Sequence, residues 1–565
     1  MPATTTLATG SRPPMSHARL LPGPPARLRL TAVVIVAVMP LLAAAMPRAV
    51  RADEQLDEQL DEQLDGALAA MTRMKIVESP AEWRAQAVQG GFCDGGTVDD
   101  LLRRLAGAFE PVKSRDEALA ALSRKKIIWN DYWKEQAVPG RRCEGEYVAN
   151  LLRAAAAPLA DQELIASQSV PDGILACDEP TAFAPASTSS GAGAFNAVIG
   201  TQTFDPSYRF TGKPRLVETA EAIRAMGGDT LKFQLSPNYA RGNGNVDAAR
   251  DGIRSLTGLV RDEPSHRAVL GMPFSRFVLW AHTFHLDDNH DRWRKGFSAE
   301  TAAGEYREVY DLVRHLLRTY RGTGKTFYLG HWEGDGLLRE SIDAANDVRA
   351  NEIACRGMAD WLNTRQRAVD DARRDTPHDG VAVWHYTEVN HVRIAMQGRP
   401  ALVTHVLPHT DVDLVSYSCY DTQHDPRLLK AALSFIEKQL PPKSGIAGRR
   451  VFIGEYGFPA IRHTPQDQDR LSRQVMRVGL EWGTPLILYW ALYNNEVEAD
   501  GRQRGYWLID DKGVKQPAYE THASFLAWAR RHAAETISRS GHPPSAAEFR
   551  AAAIASLDAT PAGRE

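Results

Sequence analysis

Eight short apolar segments alternate with amphipathic stretches between about residues 195 and 535, and this alternation constrains the fold more than any other feature. The predicted strands are residues 197–204, 229–235, 276–284, 326–333, 381–388, 412–420, 451–456 and 485–492. Strands separated by helix-length segments are typical of βα units with right-handed crossovers. Eight such units predict an α/β fold, a (β/α)8 TIM barrel, rather than a doubly wound sheet.

The connecting segments support this assignment unevenly. Amphipathic helices are predicted over residues 305–320 and 341–374. The fifth connection, residues 393–407, contains Gly398 and Pro400, two residues that interrupt a helix. The fifth helix is therefore the weakest part of the predicted barrel.

The first 52 residues have the pattern of an export signal. They contain six arginines and no acidic residue, and the apolar run 30–45 is broken by Pro40 before Val50-Arg51-Ala52, a small-residue cleavage pattern. A run of about 16 residues is short for a membrane span. We predict cleavage after Ala52, a secreted or periplasmic location, and no stable membrane span after the signal is removed.

A duplicated helical module follows an acidic spacer at residues 53–74. Eleven residues recur at a constant offset of 50 within residues 75–160, which predicts two copies of one small all-α unit. The first copy of the shared set is Trp83, Gln86, Ala87, Val88, Gly90, Cys93, Gly95, Val98, Leu101, Leu102 and Arg103. The tryptophans have two readings, contact with cell wall or glycan and packing in the core of the module.

Composition bounds the remaining segments and the partners. Residues 161–194 form a predicted linker rich in Pro, Ala, Ser and Thr, the barrel spans 195–535, and 536–565 is a predicted frayed tail. A formal net charge of −3 gives no electrostatic case for nucleic acid. The five cysteines contain no Cys-x-x-Cys pair, and a Cys93–Cys143 bridge between the repeats is one open pairing.

Two glutamates stand where apolar strands give way to glycine and aromatic residues. Glu333 follows Phe-Tyr-Leu-Gly-His-Trp, and Glu455 follows Val-Phe-Ile-Gly. In a barrel the carboxyl ends of all strands share one face, so the two carboxylates are predicted to converge there. Paired carboxylates at a barrel mouth are typical of acid/base chemistry on glycosidic bonds.

Aromatic and polar residues stand near the ends of the same strands and are candidate contacts for a carbohydrate. These predicted substrate-binding residues are Lys232, Trp280, His282, His331, Trp332, His385, Tyr386, Glu388, Tyr417, Tyr420, Trp490 and Asn494. Aromatic rings stack on sugar rings, and the polar groups suit hydroxyls.

Residues 195–530 resemble clan A of the retaining glycoside hydrolases, especially its cellulase- and mannanase-like members. The resemblance is carried by Gly-Glu-Tyr-Gly at 454–457, by His282, by Leu-Tyr-Trp at 488–490 and by the segment 505–519. It implies a retaining double displacement on a β-linked oligo- or polysaccharide, with Glu333 as acid/base and Glu455 as nucleophile. No cofactor and no metal are implied.

The chain also departs from that family. Trp332 stands where the family has Asn, Lys232 where it has Arg, and strand six lacks the usual histidine. These departures leave a second hypothesis, a non-catalytic carbohydrate-binding or envelope scaffold protein. A third hypothesis is a metal-dependent hydrolase that uses the cluster His282, His285, Asp287, Asp288 and His290. These five residues crowd one loop, whereas metal-dependent barrel hydrolases gather their histidines from several strand ends.

Overall fold

The computed structural model describes residues 60–128, 131–167, 196–239, 252–286, 292–339, 352–446 and 448–559. The chain divides into two compact units, one made of residues up to 156 apart from 108–111, and one made of 108–111 with residues 157 onward. The predicted signal 1–52, the start of the spacer and linker residues 168–194 lie outside the described residues.

Eight parallel strands close into a barrel in chain order, with the last strand beside the first, which confirms the predicted (β/α)8 fold. The strands are Ile199–Gln202, Thr230–Leu235, Arg276–Ala281, Lys325–Gly330, Val381–Val389, Leu414–Ser418, Val451–Tyr456 and Ile487–Tyr489. We call them barrel strands one to eight. Most are a few residues shorter than the predicted segments because the polar residues at their ends turn into loops.

Helices return the chain from each strand to the next. The main ones are Arg215–Met226, Leu256–Asp262, Pro264–Gly271, Ala299–Thr319, Glu352–Asp375, Pro426–Gln439, Pro465–Trp482 and Pro517–Ser540. Local sequence sets their ends: the Thr464 side chain accepts a hydrogen bond from the Asp467 amide in the first turn of helix Pro465–Trp482, and Gly483 ends the same helix in the left-handed conformation.

The fifth connection is broken, as its glycine and proline predict. It contains only the short helices Val392–Met396 and Leu402–His405 followed by a 3-10 turn at Leu407–His409. Gly398 has a φ of 82°, which a residue with a side chain rarely adopts. Two short helices therefore stand where most of the other units have a helix of twelve residues or more.

Side chains alternate between two apolar layers. On barrel strand three, Val278 and Trp280 point into the barrel, whereas Phe277 and Leu279 pack against the surrounding helices. The interior layer carries the polar groups of the site described below, so the barrel lining positions the chemistry and the outer layer supplies most of the core.

The predicted frayed tail is wrong. Helix Pro517–Ser540 continues past residue 535, and a further helix, Ala546–Ala559, packs on it and on Pro465–Trp482. Phe549, Ala553 and Leu557 are buried in this contact at helical spacing. Because this helix is rich in alanine, its buried face differs little from its exposed face in the sequence, and the segment was predicted to fray.

The N-terminal unit is not all-helical. Residues at an offset of 50 adopt matching structure: helices Pro80–Gln86 and Tyr132–Gln136, then strands Phe92–Asp94 and Arg142–Glu144, then helices Gly95–Gly107 and Gly145–Ser167. The two strands pair antiparallel, so the predicted all-α module contains a small sheet. The last helix also extends through residues 161–167 of the predicted linker.

No helix within the described residues is long and apolar enough to cross a membrane.

Candidate active site

A cavity of about 470 Å³ opens at the carboxyl ends of the barrel strands. Both predicted catalytic carboxylates, Glu333 and Glu455, line it. Aromatic residues form much of its wall, namely Phe204, Trp280, Trp332, Tyr420, Trp490 and Tyr506, and the other polar lining residues are Asp205, Gln234, Asn495 and Glu496. The strand ends thus bring residues from distant parts of the sequence into one sugar-sized space.

A β-bulge aims Glu455 into this cavity. On barrel strand seven Phe452 points inward and Ile453 outward, so strict alternation would turn Glu455 outward. Strand seven has one more residue than either neighbouring strand at Gly454. As a result Tyr417 lies opposite Ile453, and the next residue, Ser418, lies opposite Glu455. The extra residue reverses the alternation, which is how bulges re-aim side chains beside active sites.

Beneath the cavity floor, the ammonium group of Lys232 joins two carboxylates. Lys232 is fully buried, and its Nζ lies 2.8 Å from Glu388 Oε2, 2.8 Å from Glu455 Oε1 and 3.2 Å from the Gly454 carbonyl oxygen. These three acceptors use all three ammonium protons. Burial disfavours the charged amine, yet the two carboxylates hold the pKa of Lys232 above its ordinary value. Lys232 therefore stays protonated.

Glu388 is a supporting group for both catalytic candidates. Its Oε2 accepts hydrogen bonds from Lys232 and, at 2.7 Å, from Ser416 Oγ, while its Oε1 accepts the Glu333 amide at 3.1 Å. The side chain is fully buried and does not line the cavity. A Cβ on Gly454 would lie 1.7 Å from Ser416 Oγ, so only glycine leaves room for this network at the bulge.

Glu333 stands in the loop after barrel strand four, directly before the helix Gly334–Arg339. Its Oε2 accepts a 3.3 Å hydrogen bond from Asn390 Nδ2. The Asp335 carboxylate holds this loop against the strand-five loop, because it accepts the backbone amides of Asn390, His391 and Leu402. The position of the Glu333 carboxyl is therefore fixed from two strands.

The environments of the two glutamates push their pKa values up by different amounts. Burial raises the pKa of Glu333 well above its ordinary value, and the nearby charges of Glu455 and Glu388 raise it further. Burial raises the pKa of Glu455 to about 7, while Lys232 opposes that rise. As the pH rises, Glu455 therefore loses its proton first, while Glu333 keeps its proton. These are the protonation states expected of a nucleophile and a general acid.

Several predicted substrate contacts do line the cleft. Trp280, Trp332, Tyr420 and Trp490 face the cavity, and the Tyr420 hydroxyl lies 3.3 Å from Glu455 Oε2. An adjoining cavity of about 600 Å³ shares Trp280 and Trp332 and is also lined by His282. The cleft thus continues beyond the carboxylates, with Trp280 and Trp332 between its two parts.

Other predicted contacts lie below the surface of the cleft. The side chains of Lys232, His331, His385, Tyr386, Glu388, Tyr417 and Asn494 are buried and line neither cavity. His385 Nδ1 bonds Gln366, the Tyr417 hydroxyl bonds Asp421, and Asn494 bonds Glu496 and Gln503 in its own loop. Tyr386 belongs to the interior layer, whereas Tyr417 packs in the outer layer and His385 bonds a residue of the helix Glu352–Asp375, so the direction of a side chain as well as its depth keeps it from the cleft.

Glu496 and Tyr506 are cavity residues that the sequence analysis did not select. Both belong to the loop after barrel strand eight, where Glu496 Oε1 accepts the indole N–H of Trp490 at 3.2 Å and Arg504 pairs with its other oxygen at 3.0 Å. This loop has no strand or helix periodicity to mark it. The available signals were the length of the segment between Trp490 and helix Pro517–Ser540 and, for Tyr506, its place in the segment 505–519 that carries part of the resemblance.

Metal ligation finds no support in the described part of the chain, where no group of three or more His, Cys, Asp or Glu side chains is arranged to hold an ion. Asp287, Asp288 and His290 of the hypothesised cluster lie outside the described residues. His285 instead pairs with Glu308, through Nδ1 at 3.3 Å.

Replacing Lys232 with methionine is expected to destabilise the barrel strongly. The variant would leave Glu388 and Glu455 buried without their cation, and losing one partner of a buried ion pair costs about 3–5 kcal/mol. Urea unfolding followed by tryptophan fluorescence measures the change. Lys213→Met is the matched control, since Lys213 forms an exposed pair with Glu221 worth about 1 kcal/mol or less. Equal losses in both variants would contradict the buried network.

The sequence matches no protein-family model, and no curated protein matches it. Among solved structures, the chain is similar to a GH5_18 from Bifidobacterium longum subsp. infantis, with 15% identity, a TM-score of 0.40, and coverage of 58% of this chain and 78% of that one.

Two further solved structures are similar over the same share of the chain. One is a family 39 glycoside hydrolase from the gut symbiont Bacteroides cellulosilyticus WH2, with 10% identity, a TM-score of 0.40 and coverage of 60% and 65%. The other is ZgEngAGH5_4 in complex with a cellotriose, with 14% identity, a TM-score of 0.35 and coverage of 59% and 96%. At these scores the activity of this barrel has to be argued from its own residues.

Proposed function

We propose that this protein is a glycoside hydrolase that cleaves a β-linked oligo- or polysaccharide by a retaining double displacement. One observation carries the proposal: Glu333 and Glu455 line a single aromatic-walled cavity at the carboxyl ends of the barrel strands. Two carboxyl groups with separated pKa values, facing one space, are what hydrolysis of a glycosidic bond needs.

In the first step the Glu455 carboxylate attacks the anomeric carbon while protonated Glu333 donates its proton to the leaving oxygen. Lys232 and Tyr420 favour the ionised form of Glu455, and Lys232 leaves one Glu455 oxygen to Tyr420 and the substrate. In the second step Glu333, now a carboxylate, removes a proton from water, which attacks the same carbon and releases Glu455. Trp280 and Trp490 line the cavity in which the oxocarbenium-like transition states form.

A carbohydrate-binding scaffold without catalysis is less well supported. A barrel that only binds sugar has no need to hold a protonated and an ionised carboxyl group together, because their burial is costly. The bulge at Gly454 and the cation beneath the floor both serve to hold Glu455 in the cavity. These features favour an enzyme.

The place of action follows from the N-terminal pattern. We propose that residues 1–52 direct export and that the mature enzyme works outside the cytoplasm, where polysaccharides occur. Contact of the N-terminal repeats with glycan remains a prediction. Trp133 is buried in that unit, whereas Trp83 is half-buried, so a test of glycan binding would begin with Trp83.

Mechanism-based inhibitors test the proposal directly. A panel of 2-deoxy-2-fluoro β-glycosides with activated leaving groups is expected to trap a covalent ester on Glu455 for the sugar that the cleft accepts. Mass spectrometry of the digested protein locates the adduct. Glu455→Gln is the control that should stay unlabelled, and an ester on another residue, or none across the panel, would overturn the assignment.

The pH dependence of kcat/KM is expected to be bell-shaped. The active form has Glu455 ionised, so activity rises as the pH increases through about 7, the pKa of Glu455, and falls about tenfold per unit below it. The alkaline limb reports loss of the Glu333 proton, whose pKa is raised well above its ordinary range. In Glu333→Gln, assayed on an activated aryl glycoside, the alkaline limb should vanish and the acidic limb remain. A flat profile between pH 5 and pH 8 would contradict the role of Glu455, and an alkaline limb unchanged in Glu333→Gln would contradict that of Glu333.

A further inference from the structure

The strand pair of the N-terminal unit places two cysteines face to face. Cys93 and Cys143 are directly opposite each other in the antiparallel register. Opposite residues in such a ladder have Cα atoms about 4.5–5.5 Å apart and side chains on the same face. That separation lies within the 4.4–6.8 Å that disulfides span.

The surrounding backbone holds this register from both sides. A Cβ on Gly95 would lie 2.3 Å from the Val138 carbonyl oxygen, and a Cβ on Gly145 would lie 2.3 Å from the Gln86 carbonyl oxygen. Each repeat therefore places its glycine against the turn of the other repeat, and neither position tolerates a side chain. Cys93 stands two residues before Gly95, and Cys143 stands two residues before Gly145. The contacts that fix the position of each glycine therefore also fix the position of the neighbouring thiol.

Both thiols point into the core of the unit. Cys93 is 1% exposed and Cys143 is fully buried, while the residues that flank them on the strands are exposed. No third ligand joins them, because the described residues contain no group of three or more His, Cys, Asp or Glu side chains around one point. Two opposed thiols without further ligands suit a disulfide and not a metal.

We propose that Cys93 and Cys143 form a disulfide that joins the two repeats during folding. The Cys93 thiolate attacks one sulfur of a low-molecular-weight or protein disulfide and releases one of its thiols. The Cys143 thiolate then attacks Cys93 Sγ and releases the second. The two cysteines lose two electrons and two protons, and the oxidant's disulfide is reduced to two thiols.

Burial decides when this exchange happens. It raises the pKa of Cys93 and of Cys143 to about 11, so the thiolate that must attack is scarce in the folded unit at neutral pH. The bond therefore forms while the strands assemble and is afterwards shielded from reductants. A maturing unit of this kind needs an oxidising compartment, in agreement with the export pattern of residues 1–52.

Peptide mapping of the full chain tests the proposal. The protein is refolded with reduced and oxidised glutathione, alkylated and digested with trypsin without reduction. Peptides 85–103 and 143–153 are expected to appear as one linked species, lighter by two hydrogens than the sum of the free peptides, and to separate on reduction. Recovery of both peptides as alkylated monomers would overturn the proposal.

Thermal unfolding provides a second readout that does not depend on catalysis. A strong reductant is expected to lower the midpoint of the N-terminal unit by about 10 °C or more, since the bridge closes a long loop. The Cys93→Ala/Cys143→Ala double variant should show no response to reductant. Cys355→Ala is the matched control, because it removes a buried barrel cysteine and should keep the full response. A response of the double variant equal to that of the unmodified protein would also overturn the bridge.

Discussion

Replacing Glu455 with glutamine is expected to abolish turnover while leaving the barrel folded. The amide cannot form the glycosyl ester, and removal of a covalent nucleophile commonly costs on the order of 10⁴-fold or more in kcat. The amide oxygen can still accept from Lys232, which lies 2.8 Å from Glu455 Oε1, and the amide N–H can donate to the Tyr420 hydroxyl, which lies 3.3 Å from Oε2. Circular dichroism and the unfolding midpoint should therefore change little in comparison with the loss of rate.

A matched variant distinguishes the loss of a buried negative charge from the loss of the nucleophile. Glu388→Gln also removes one of the two carboxylates bound to Lys232, yet Glu388 does not line the cavity. We expect it to retain measurable turnover with an altered acidic limb of the pH profile, because it acts on Glu455 through Lys232. If Glu455→Gln retained activity similar to that of Glu388→Gln, Glu455 would not be the nucleophile.

Replacing Glu333 with glutamine is expected to lower the rate according to the leaving group. A general acid contributes about 10²–10⁴-fold, and the loss should be largest for natural substrates whose leaving oxygen needs a proton. With a dinitrophenyl leaving group, which departs without a proton, the first step should proceed and the glycosyl enzyme should accumulate. Burst kinetics would detect that accumulation.

Azide provides the decisive control for Glu333. In Glu333→Ala the space left by the carboxyl group lets azide attack the glycosyl enzyme, and a β-glycosyl azide is the expected product if configuration is retained. The Asn390→Ala variant removes the hydrogen bond to Glu333 Oε2 without removing the acid, so azide should not accelerate it. Absence of rescue in Glu333→Ala, or an α-glycosyl azide, would contradict the retaining assignment.

Much of the barrel could be predicted because each strand carries its own signal. Short apolar segments ending in polar and aromatic residues marked all eight strands, and the segments between them were long enough for crossover helices. The tail was misjudged for a related reason. Helix Ala546–Ala559 is rich in alanine, so its two faces differ little in hydrophobicity. The contact that Phe549 makes with the neighbouring helices could therefore not be predicted from this segment alone.

The candidate site also has a part that the sequence predicted and a part that it did not. Glu333 and Glu455 were recognisable because a carboxylate at the end of a buried strand is unusual, and the aromatic residues around them shared that position. Depth was not recognisable. Glu388 stands near the end of strand five like the residues that line the cleft, but it lies beneath the floor with Lys232. The direction of His385, in the middle of the same strand, was not recognisable either, because it bonds Gln366 of the helix Glu352–Asp375 outside the barrel.

Local periodicity and residue chemistry were thus enough to predict a closed parallel barrel with two carboxylates at its mouth, because strand length, alternation and end composition are properties of short segments. Only the tertiary structure shows which way Glu455 points, since one extra residue at Gly454 reverses its direction relative to both neighbouring strands. The bridging of Glu388 and Glu455 by Lys232 likewise joins strands two, five and seven. Such contacts between distant segments depend on register and depth, which no segment encodes alone.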